Sequence, residues 1–241
     1  MTAWVGLLRH GQSTGNVARE EAETAGHEVI DIPERDADVP LTDLGREQAR
    51  AAGAWLGEHP PRLVVSSPYL RAAHTARIAL AEAARLGADV PSVPVVDERL
   101  RDRELGVLDL LTSHGVRERW PDEMRRKRRH GKFYYRPPGG ESWADVVLRI
   151  RSLLGELQQD GGPLLLVGHE MVVFALRYVL EGVPEPDLLE LAARTPVPNA
   201  SITGWVRDGT RFRLETEQDT AHLHDTGTRP TEDSDAAVSL P

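Results

Sequence analysis

The sequence contains no cysteine, so it can form neither a disulfide framework nor a thiolate metal site. No apolar run reaches the roughly 20 residues that a bilayer-spanning helix needs. The first apolar stretch has no basic residue before it and stops at Arg9, which argues against a signal peptide. These absences point to a cytoplasmic protein with no membrane partner. Lysine is nearly missing as well: Lys127 and Lys132 are the whole complement. An arginine bias of this kind also follows from GC-rich coding, so arginine positions carry more weight than arginine number. The net charge of -9 argues against a general nucleic-acid binder.

What is present fits a globular protein. Of 241 residues, 40% are hydrophobic and 28% charged, enough for one large domain or two small ones. Residues 3 to 8 read as a buried strand, followed by a polar, acidic stretch from 17 to 39 expected to be loop or short helix. Thr42 reads as an N-cap, with Ala49, Ala52, Trp55 and Leu56 at helical spacing behind it. "LVVSSP" is a second strand and "YLRAAHTARIALAEAARL" a long helix. A basic, mostly helical insertion follows a short strand at 93 to 96. Ser142 with Asp145 then opens another helix, to about Leu157. "PLLLVGH" is a third buried strand, with "EMVVFALRYVL" as its helix. Two alternating stretches around "RDGT" form a terminal hairpin. Strands alternating with helices predict an α/β fold, a three-layer α/β/α sandwich on a mostly parallel central sheet. One domain is expected over residues 1–216, with an inserted basic lid at about 107–140. The acidic chain from 217 to 241 is expected to be disordered.

The chemistry collects at strand ends. The first strand ends in Arg9-His10-Gly11, the second in Ser66-Ser67-Pro68 just before Arg71, and the third in Gly168-His169. Ligands of open α/β sheets bind outside the carboxyl ends of strands. Two arginines, two histidines and the positive ends of helices there predict a cationic pocket for a phosphoryl group. A neutral His10 can attack phosphorus through one ring nitrogen while a backbone carbonyl orients the other. His169 can donate a hydrogen bond to a phosphoryl oxygen. The leaving alkoxide needs a proton, and "RLRDRELG" offers Asp102 and Glu104, two residues apart and on one side of an extended segment. The residues do not choose between them.

Five segments, "LLRHGQSTGN", "PLTDLGREQA", "SSPYLRAAHTA", "RLRDRELG" and "LLLVGHE", occur in an order that resembles the histidine phosphatase superfamily. The resemblance is to the branch of phosphoglycerate mutases, fructose-2,6-bisphosphatase and broad-specificity phosphatases. It implies a phosphoglycerate mutase-like fold and a phosphohistidine at His10. It also implies phosphate clamps from Arg9, Arg71 and His169, substrate contacts from Asn16 and Thr14, and no metal or other cofactor. One position departs from the pattern: Asp102 stands where the family usually has Glu, about 1.5 Å shorter in reach. Asp102 is taken as the proton donor and Glu104 as its reserve.

Each residue also has a plainer reading. His10 alone could be a core histidine, Arg71 a solvated helix residue, His169 a helix cap and Asn16 a turn former. His74 reads as structural, and the His222/His224 pair, lying in the tail, as no metal site. The basic segment 117–136, interleaved with Phe133, Tyr134 and Tyr135, could be a solvated face, an RNA surface or a lid with a second anion site. The leading reading is a phosphomonoesterase acting on a small phosphate ester through His10. A mutase that returns the phosphoryl group to another hydroxyl is the alternative, and a weakly catalytic phospho-ligand binding module is another. A symmetric homodimer would be ordinary.

Overall fold

A computed structural model describes residues 3–157 and 161–232 of the chain. Six strands form one sheet: β1 (Trp4–Arg9), β2 (Leu63–Ser66), β3 (Val95–Val96), β4 (Leu164–Gly168), β5 (Ile202–Asp208) and β6 (Arg211–Asp219). Their spatial order is β3-β2-β4-β1-β5-β6. The first four are parallel; β5 and β6 add an antiparallel edge. The uninterrupted apolar runs of β1 and β4 are explained by burial on both faces. Val5, Leu7, Leu164 and Leu166 join one core with α6 (Trp143–Leu157), α7 (Glu170–Leu176) and α8 (Glu185–Arg194). Leu8, Val64, Leu165 and Val167 join the other with α2 (Asp43–Glu58) and α3 (Leu70–Arg85). The result is the expected three-layer sandwich.

The helix starts follow the caps. Thr42 Oγ1 accepts the Gly45 N–H at 3.0 Å, and Ser142 and Asp145 exchange bonds, Ser142 N–H to Asp145 Oδ2 at 2.8 Å and Asp145 N–H to Ser142 Oγ at 3.1 Å. The stretch expected as loop or short helix from residue 17 holds both: it continues a three-turn helix that starts ahead of it, α1 (Thr14–Ala25), and then runs as loop. Ser13 caps it, with Asn16 in the place a Glu or Gln usually takes in a capping box. Its acidic composition hid that start.

The inserted segment forms α4 (Ser113–Arg119) and α5 (Pro121–His130), which Pro121 separates, and has its own small core of Leu108, Leu111, Val116, Met124 and Tyr135. It is fastened to the chain after α1: Thr112 donates through its hydroxyl to His27 O (2.5 Å) and through its N–H to Glu28 O (3.1 Å), and Ile30 N–H donates to Leu110 O (2.9 Å). Asp-rich composition also misjudged the C-terminal chain. Glu217–Asp219 complete β6, and Ala221–Asp225 form α9, which buries Leu223 against α2. Gln48 Nε2 donates to Arg229 O and Thr231 Oγ1, each at 3.0 Å, and Asn199 N–H donates to Thr231 O at 2.8 Å. Strand pairing in β6, the buried Leu223 and His222 and a few long-range hydrogen bonds order residues 217–232, and composition registers none of these. The rest of the expected tail, 233–241, lies outside the described residues. No helix of the described residues is long and apolar enough to cross a membrane.

Candidate active site

Parallel pairing of β1 with β4 sets Arg9 beside Gly168, so the residues after each strand, His10 and His169, emerge together. His10 N–H donates to Gly168 O at 2.9 Å, and the two rings lie 5.2 Å apart. Both side chains are fully buried. His10 Nδ1 is 2.8 Å from Gly11 O, and a carbonyl only accepts, so Nδ1 carries the proton and Nε2 the lone pair. The backbone of His10 is held from behind: its carbonyl accepts from Ala200 N–H at 3.1 Å and from Asn199 Nδ2 at 3.2 Å. Gly11 N–H donates to Thr75 Oγ1 at 3.0 Å. The first turn of α2 touches this loop backbone to backbone. A Cβ at Gly45 would lie 2.0 Å from Gln12 O, so only glycine permits the approach.

Arg71, in the first turn of α3, is buried. Its guanidinium donates to Asp36 O at 2.6 Å and pairs with Asp36 Oδ1 at 3.0 Å and Asp102 Oδ2 at 3.2 Å. Asp102 Oδ2 also lies 3.3 Å from His169 Nδ1, and His169 Nε2 is 2.8 Å from Ser67 Oγ. Burial, then the Arg71 charge, holds the His169 pKa well below the ordinary histidine value, so its ring is neutral at neutral pH. Arg9 is fully buried, and its guanidinium donates to Val197 O.

Arg71, Asp102, Glu104 and Asn16 line one wall of a cavity enclosed by the inserted segment and the chain after α1. His10 and His169 are fully buried, and His169 meets the Asp102 carboxyl from the protein side of that lining. Both candidate acids thus face the cavity, as their spacing suggested, but differently. Asp102 touches Arg71 and His169, whereas the half-exposed Glu104 accepts the Tyr69 hydroxyl at 2.8 Å. Burial, with that bond, raises the Tyr69 pKa far above its usual value. Asn16 reaches the cavity while its Oδ1 accepts Ser13 N–H at 2.9 Å. Thr14, one residue after the cap, is exposed and is not among the residues lining the cavity.

Lys127, Lys132 and Arg103 also line the cavity, as do Glu123 and Glu170. Burial, then Lys132 and Arg103, lowers the Lys127 pKa to about 8. Most arginines of the basic segment are instead paired at the surface: Arg119 with Glu28, Arg125 with Asp122, Arg126 with Glu123 and Arg136 with Asp145. Phe133 and Tyr135 are buried, leaving Tyr134 as the exposed aromatic of the three.

Several supporting residues carry no sequence signal. Arg149, on α6, donates to Arg99 O at 2.5 Å and Asp102 O at 3.1 Å, and clasps Glu141 through two further bonds at 3.0 and 3.1 Å. Asp36 comes from a single turn, 36–38, between α1 and α2. His222, set aside as part of a tail pair, is buried and donates through Nε2 to Ala200 O at 3.0 Å. Among the described residues no three His, Asp or Glu side chains are grouped as a metal ion would require.

Known proteins resemble this chain in sequence and fold. A glucosyl-3-phosphoglycerate phosphatase of Mycolicibacterium vanbaalenii is 36% identical over 194 residues, covering 74% of each chain. A 2,3-bisphosphoglycerate-dependent phosphoglycerate mutase of Methylorubrum extorquens is 31% identical over 199 residues, 80% of this chain and 85% of its own. The solved structure of a mycobacterial glucosyl-3-phosphoglycerate phosphatase with VO3 aligns with a TM-score of 0.70 at 31% identity, covering 91% of this chain and all of the other. The histidine phosphatase superfamily (branch 1) model matches residues 5–220. The chain belongs to the histidine phosphatase superfamily.

Proposed function

We propose that the protein is a phosphomonoesterase that passes a phosphoryl group through His10 and acts on small phosphorylated acids. The observation that carries this reading is the His10 ring, whose Nδ1–H is given to Gly11 O so that Nε2 holds the lone pair. The incoming phosphoryl group takes Arg71 and His169 over from the Asp102 carboxyl, and Arg9 adds its charge. Nε2 attacks phosphorus as the P–O bond to the alcohol breaks. Asp102, parted from Arg71 and facing the phosphoryl oxygens, takes up a proton on substrate binding and gives it to the leaving oxygen. Water then attacks the phosphohistidine, Asp102 takes a proton from it, and inorganic phosphate leaves with His10 restored. Lys127, Lys132 and Arg103 hold an anionic group on the rest of the substrate, as a phosphoglycerate ester such as glucosyl-3-phosphoglycerate would present.

The test is hydrolysis of p-nitrophenyl phosphate and of a phosphoglycerate ester, in chelator and without added metal. Both are expected to turn over, and Asp102→Asn is expected to lower kcat by roughly 100-fold or more. No hydrolysis from acid to neutral pH overturns the proposal. The mutase relatives keep a second reading open, phosphoryl return to another hydroxyl, and an activity that depends on a bisphosphorylated primer selects it.

A further inference from the structure

A second hollow lies beside α2, between the N-terminal ends of β1 and β4, the outer strand β6 and α9. Trp4 at the start of β1 and Pro163 just before β4 lie on one side of it, and the end of α2 and α9 on the others. Its floor is aromatic: the Trp4 and Trp55 rings are 6.1 Å apart, and His59 stacks on Trp55 at 4.3 Å and 15°. Its rim carries Glu58, Glu215, Asp219 and Asp225, and no lysine or arginine is among its lining residues. α2, sixteen residues long, ends here and adds the partial negative charge of a helix C-terminus.

His222 supplies a separate observation. It lines the hollow, is 5% exposed, and spends its Nε2 proton on Ala200 O. Nδ1 is therefore an acceptor in the neutral ring, and it has no hydrogen-bond partner among the described residues. Burial lowers the His222 pKa, with Asp219, the Ala200 bond and Asp225 acting against that shift and His224 with it, which favours the neutral ring. A buried acceptor without a donor is costly, and a ligand that brings an N–H relieves it. Aromatic faces and carboxylates attract a cation. The carboxylates and His222 do not converge as a metal ion requires, which favours an extended cation over a point charge.

We propose that this hollow is a binding site for a small organic cation with N–H donors, of the alkyl polyamine class. The alkyl chain lies along Trp4 and Trp55, and its ammonium groups meet the acidic rim and His222. The site does not depend on the phosphatase reading.

The test titrates spermidine into the full chain at low salt, followed by tryptophan fluorescence and by heteronuclear spectra of the histidine rings. Saturable binding that moves the His222 Nδ1 resonance is expected. Tetramethylammonium, which has no N–H, is expected to bind at least about fivefold more weakly. The double variant Glu58→Gln/Glu215→Gln, both exposed and outside the catalytic machinery, is expected to lose roughly tenfold in affinity with its circular dichroism unchanged. Trp55→Leu is expected to lose a similar factor. No saturable change up to about 10 mM spermidine, equal binding of tetramethylammonium, a His222 resonance that does not move, or undiminished affinity in the variants overturns the proposal.

Discussion

Asp102 brings a shorter side chain to a position where the family usually has Glu, and the loop beneath it is held at both ends. Arg149 ties Arg99 O and Asp102 O to α6 while Glu141 fixes its guanidinium. The backbone rather than the side chain thus sets how far the carboxyl reaches, and errors near 1 Å cost about 100-fold in rate. Arg149 acts through Asp102 and is a positioning residue. Lysine cannot span both carbonyls and Glu141. Arg149→Lys is expected to lower kcat by roughly 10- to 100-fold with KM within about threefold. Asp102→Glu in that background is expected to recover part of the loss. Steady-state kinetics check this; an unchanged kcat, or a loss confined to KM, counts against it.

α5 contributes one wall of the cavity, and its chemistry depends on pH. Lys127, with its pKa lowered to about 8, is charged below that value and neutral above it. Its attraction for an anionic substrate group is therefore present at neutral pH and lost as the pH rises through 8. For a substrate that carries a carboxylate beyond its phosphate, KM is expected to rise several-fold between about pH 7 and pH 9. p-Nitrophenyl phosphate, which lacks that group, is expected to show a smaller rise. Lys127→Met is expected to start at the higher KM and stay there. A variant whose pH profile matches the parent would show that this wall does not read the substrate.

At the scale of the whole molecule, residues 220–232 brace the site from outside the motifs. Thr231 bonds Asn199 and Gln48; Asn199 holds His10 O, and Gln48 Oε1 accepts Gln12 N–H at 2.8 Å. Leu223 anchors that chain. Leu223→Ala is expected to cost about 2–4 kcal/mol and to lower Tm by roughly 5–15 °C. A thermal melt within a degree or two of the parent would contradict the packing described. Much of this architecture was legible in the sequence, because parallel buried strands are apolar runs and deliver their last residues to one edge. Arg9, His10, Arg71, Asp102 and His169 could be read together for that reason. Arg149, Asp36 and the contact of Gly45 with Gln12 could not, since each joins distant segments and repeats with no period. Order in residues 217–232 is not legible either, since it rests on contacts of Leu223, His222 and Thr231 with distant segments.

The account stands on a covalent P–N bond at His10, and rapid alkaline quenching of a single turnover with radiolabelled ester measures it directly. Near-stoichiometric label on the peptide containing His10, absent in His10→Asn together with turnover, is the expected result. Hydrolysis that proceeds at the full rate while His10 stays unlabelled would contradict it.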